Sequence, residues 1–95
     1  MTILGGITLE VSTDLTKLPQ KVASAMSAIE KPELVGANYK PLMYIGWQNV
    51  RGTNYWFIAK QTLMTRNLDE HIVTIAVNEY DGEYEIVKSS IVAIL

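Results

Sequence analysis

An α+β fold, with one α-helix packed across a four- to five-stranded antiparallel β-sheet, is what this sequence predicts. Three observations carry that reading. Between Leu15 and Ile29 apolar residues recur at intervals of three and four, the spacing of one helical stripe. From Tyr39 onward apolar and polar residues alternate instead, with the two-residue period of strands. The dipeptides Arg51-Gly52 and Asp81-Gly82 then divide this long alternating part into two hairpins.

The elements follow in chain order. Ile7, Leu9 and Val11 alternate as a short strand, preceded by Gly5-Gly6 within a loose start. Leu15, Leu18, Val22, Ala25, Met26 and Ile29 form the helical stripe. Thr16 is the expected cap, because it sets Pro19 in the first turn, where a missing N–H costs nothing. Small residues (Ala23, Ser24, Ala25, Ser27, Ala28) make a slim helix suited to lying close on a sheet. Lys31-Pro32 ends it, since the residue before proline avoids helical angles.

A strand then runs from Tyr39 to Val50 and turns at Arg51-Gly52. The return strand puts Thr53, Tyr55, Phe57 and Ala59 on one face, with Asn54, Trp56, Ile58 and Lys60 on the other. Asn67-Leu68-Asp69-Glu70 is a polar break. Beyond it Val73, Ile75 and Val77 alternate against Ile72, Thr74, Ala76 and Asn78. Asp81-Gly82 is a two-residue hairpin signal, and the last strand carries Tyr84, Ile86, Val87 and Ile91 to Leu95. Glu79, Glu83 and Glu85 flank that hairpin and read as solvated edge charges that discourage aggregation.

Composition narrows the function. Ninety-five residues suit a single domain, 1–95, and 48% hydrophobic content is that of a folded chain. A net charge of −2, with eight dispersed basic residues, argues against a nucleic-acid binder. No apolar run approaches the roughly 18 residues of a membrane span, and the start has no signal-peptide pattern. Cysteine is absent, so neither a disulfide nor a thiol metal site is available, which fits a cytoplasmic setting.

Catalysis is not expected. His71 is the sole histidine, and in Asp69-Glu70-His71 neighbouring side chains of an extended chain point to opposite faces. The serines and threonines have no visible partnering base. No cofactor and no metal site are expected.

The order of elements and three local motifs give the chain a likeness. Ile3-Leu4-Gly5-Gly6 places small apolar residues before a glycine. Gln48-Asn49-Val50-Arg51-Gly52 fits the pattern Gln-x-Val-x-Gly in the first hairpin, continued by Thr53-Asn54-Tyr55, and Lys21-Val22 lies in the helix. In these features the sequence resembles the cystatin family, most closely the single-domain stefins, over nearly its whole length. At the second hairpin many members carry Pro-Gly or Pro-Trp, whereas this chain has Tyr80-Asp81-Gly82.

The resemblance implies the cystatin fold and a reversible, tight-binding inhibitor of papain-like cysteine proteases. It implies that an N-terminal trunk and two hairpin turns form a wedge filling the protease cleft, with no chemistry by the inhibitor. The residues it assigns to protease binding are Ile3, Leu4, Gly5, Gln48, Asn49, Val50, Arg51, Gly52, Tyr80, Asp81 and Gly82. Ile3 and Leu4 would enter apolar subsites at about 1.5–3 kcal/mol for each side chain fully covered. Gln48 would hold the hairpin's shape. Two other readings stand beside this one. The first is a non-inhibitory cystatin-fold module binding some other protein by its edge. In the second, a monomer exchanges strands with a second copy about the Val50 hairpin to give a swapped dimer.

Overall fold

In the computed structural model the described residues are 3–4, 6–30, 37–63 and 69–94, with side chains described from Gly6 onward except at 88, 89 and 91–94. β1 (Ile3–Leu4) and β2 (Ile7–Ser12) lead into α1 (Gln20–Ile29). β3 (Ala37–Val50), β4 (Gly52–Leu63), β5 (Glu70–Tyr80) and β6 (Glu83–Ile94) follow. The strands form one antiparallel sheet in the order β1-β2-β3-β4-β5-β6, and α1 lies across one face. This is the expected α+β arrangement, consistent with a cystatin-like fold. The sheet is wider than the expected four or five strands, because the loose start folds back: Leu4 pairs Ile7 and Ile3 pairs Thr8.

The period-two pattern decides which face is buried. Tyr55, Phe57 and Ala59 of β4 and Val73, Ile75 and Val77 of β5 point beneath the helix and are buried. Val22, Ala25, Ala28 and Ile29 of α1 close over them, with Leu18 and Met26 at the margin. Trp47 packs against this core as well. Tyr44 meets Phe57 with ring centroids 5.5 Å apart at a 51° tilt, within the range favoured by aromatic pairs. The buried Tyr44 hydroxyl donates to Glu10 Oε1 at 3.5 Å. Burial raises its pKa well above the phenol range, and the Glu10 charge adds to the rise.

The start of α1 differs from expectation. Pro19, not Thr16, occupies the cap position, with an extended ψ of 154° and no side-chain capping bond. Asp14 explains the shift. Its carboxylate accepts from both the Thr16 N–H and the Thr16 hydroxyl, so residues 14–17 close as a turn before the helix begins. Those two bonds also hold the Asp14 carboxyl below its usual pKa. At the other end Glu30 is the C-cap, and Lys31-Pro32 lies outside the described residues.

Among the described residues no helix is long and apolar enough to cross a membrane.

Candidate functional site: a rim of three turns

Strand register puts the turns of interest at one end of the sheet. Ile7, the first residue of β2, pairs with Gln48 near the tip of β3. Thr53, just past the β3–β4 turn, pairs with Glu79 at the end of β5. The leader, the first hairpin turn and the second hairpin turn therefore stand side by side.

At the first turn Asn49 pairs with Thr53 and Val50 with Gly52, leaving Arg51 at the apex. Val50 and Arg51 are exposed. Gly52 has a φ of +80°, and a Cβ there would lie 2.1 Å from the Glu79 carbonyl oxygen. Only glycine satisfies both the left-handed angle and this approach of the two hairpins. At the second turn Asp81 (φ 53°) and Gly82 (φ 82°) are both left-handed, as the Asp-Gly signal predicts. Tyr80, half exposed, stands beside them with the Arg51 guanidinium 5.0 Å from its ring centroid.

Gln48 organises the open face behind the first turn. Its Oε1 accepts from Asn54 Nδ2 at 3.3 Å and from Trp56 Nε1 at 3.3 Å. Asn54 Oδ1 in turn accepts from Asn78 Nδ2 at 3.0 Å, and the same Asn78 amide donates to the Arg51 carbonyl at 3.0 Å. A row of amides thus crosses β3, β4 and β5 and ends on the backbone of the turn. Gly6 has a φ of +87°, and a Cβ there would lie 3.4 Å from Gln48 Nε2.

Glu79 corrects one expectation. It is a buried residue, because it continues the Val73-Ile75-Val77 face toward the core. Its Oε2 accepts the Gly82 N–H at 3.0 Å, and its Oε1 pairs with Lys21 Nζ of α1 at 3.5 Å. The Gly82 bond, assisted by Lys21 and opposed by burial, lowers its pKa below the ordinary glutamate value. Ionised Glu79 therefore supports the second turn fully above the usual carboxylate pKa, and that support is lost as pH falls through the lowered value. The Gly82 amide resonance is expected to titrate with a midpoint below 4.5. Glu79→Gln should abolish that step, checked by NMR over pH 2–7.

Of the residues assigned by resemblance, Gln48, Asn49, Val50, Arg51, Gly52, Tyr80, Asp81 and Gly82 come together on this rim. Ile3 and Leu4 reach it through β1, although folded back on β2 rather than extended. Gly5 lies outside the described residues, and Gly6, next in the chain, is left-handed. Asn54, Asn78 and Glu79 were not assigned to the site, yet they hold its turns. Nothing in the sequence marks them for it, because strand register, not local spacing, brings them to the turns.

Between the two turns lies a cleft of about 370 Å³, lined by Arg51, Asn78, Tyr80, Glu83, Tyr84 and Glu85. Compared with family models, curated proteins and solved structures, the chain matches none.

Proposed function

We propose that this protein is a reversible, tight-binding inhibitor of papain-like cysteine proteases, acting as a monomer in the cytoplasm. The observation that supports the reading most is the shared rim. The leader, the Gln48–Gly52 turn and the Tyr80–Gly82 turn form one narrow end, with Val50, Arg51 and Tyr80 exposed along it. A rim braced by backbone pairing and amide bonds loses little conformational entropy on docking, which favours affinity. The wedge covers the catalytic cysteine and histidine of the protease without presenting a peptide bond for attack. Leader engagement requires Ile3 and Leu4 to leave β2, which breaks the two pairs Ile3–Thr8 and Leu4–Ile7.

Titrating papain with the purified chain is expected to abolish activity at one-to-one stoichiometry. Deleting residues 1–4 should speed dissociation, roughly tenfold or more, if one leader side chain is covered at the value given above. Full papain activity at micromolar inhibitor would refute the proposal.

One observation favours a second reading. Arg51 is bulky and charged and stacks on Tyr80, so the rim suits an edge-binding module for another protein. An inactive but fully folded chain in the papain assay would favour that module.

A further inference from the structure

We infer that Asn78, on β5, is a positioning residue for the rim, fixing the first hairpin turn from outside it. The inference deepens the inhibitory reading and rests on it for its consequence in binding. Asn78 belongs to neither turn. Its Cα neighbours across the sheet are Asn54 of β4 and Glu85 of β6. From that place one amide group reaches in two directions, to the Arg51 carbonyl at 3.0 Å and to Asn54 Oδ1 at 3.0 Å.

The Arg51 bond carries the argument. Arg51 stands at the apex, where β3 and β4 have stopped pairing, and Val50–Gly52 is the last pair of the ladder. A donor fixed on β5 gives the apex carbonyl a partner. It thereby sets the orientation of the peptide leading into Gly52, whose left-handed angle allows the turn to close. The Asn54 bond locks the same amide to the Gln48 row, so Asn78 cannot release Arg51 without disturbing its other partner. Arg51 over Tyr80 is a second tie between the hairpins, made by the side chain where Asn78 uses the backbone. The first turn is thus held in docking shape by the second hairpin, and a hairpin without the family's proline still contributes rigidity.

Asn78→Asp tests this, since it keeps the shape and replaces the donor by a carboxylate facing two acceptors. Above the carboxyl pKa the donor is lost. Below it the protonated acid donates again. Arg51 from the first turn, Glu85 opposite on β6, and Glu83, Tyr80 and Tyr84 around the shared cleft also face this position. All are present in the parent chain, so each comparison is made as variant over parent at one pH.

At pH 7.5 the variant is expected to release papain about tenfold faster than the parent, a change of about 1.4 kcal/mol. The ratio should return toward unity at pH 4. In the free protein, amide exchange of Arg51, Gly52 and Thr53 should speed by a similar factor at pH 7.5 only. Equal exchange in variant and parent overturns the positioning role, whatever the protease does. A release ratio that does not fall between pH 7.5 and pH 4 overturns it too, because the damage is then not the missing donor. If the parent fails to inhibit papain while the exchange pattern appears, the inhibitory reading falls and the coupling of the hairpins stands.

Discussion

Gly52→Ala is expected to destabilise the protein by about 2–6 kcal/mol and to weaken papain inhibition beyond what the stability loss explains. Two costs add. A non-glycine residue held in a sparsely populated backbone region costs about 1–3 kcal/mol, and overpacking typically costs about 1–3 kcal/mol. Both apply here, because φ is +80° and the new methyl would lie 2.1 Å from the Glu79 carbonyl oxygen. That atom is backbone and cannot swing aside, so one hairpin must move away from the other. Urea unfolding measures the first effect. Inhibition measured well below the unfolding midpoint isolates the second. A variant with unchanged stability and unchanged inhibition would show that the hairpins need no such approach.

Phe57→Ala is expected to cost about 3–5 kcal/mol, a large part of the 5–15 kcal/mol typical of a whole domain. Phe57 is fully buried at the centre of β4, in contact with Tyr44 and beneath the helix. Its removal leaves a cavity walled by strands paired on both sides, which limits collapse. The outcome contrasts with Gly52→Ala, because Phe57 pairs with Tyr44 and Ile75, four residues along β4 from the Thr53–Glu79 pair at the rim. Whatever fraction remains folded should inhibit papain with near-parental affinity. Calorimetry and active-fraction titration separate the two variants, and a rise in inhibition constant for folded Phe57→Ala would contradict the division between core and rim.

Much of the fold was legible because two periods do not overlap. Val22, Ala25 and Ile29 repeat as a helix, while Phe57, Ala59, Val73 and Ile75 alternate as strands, and both sets are buried together. Turn chemistry was equally plain at Asp81-Gly82. What local reading missed depends on partners distant in sequence. Asp14 captured Thr16 and delayed the helix to Gln20, a competition between a side-chain turn and a cap that spacing alone does not decide. Glu79 looked like surface charge because Lys21 lies 58 positions earlier on another element. Asn78 gave no sign of its role until strand register set it opposite Asn54.

The strand order has a consequence of its own. In an up-and-down meander every strand reverses direction, so connections alternate between poles by simple parity. The first, third and fifth strand-to-strand links share one pole, and the second and fourth enter the sheet from the other. Lengthening the chain between Leu63 and Glu70 therefore adds bulk at the far pole. An insertion there leaves the pole that carries the three turns unchanged, by counting alone.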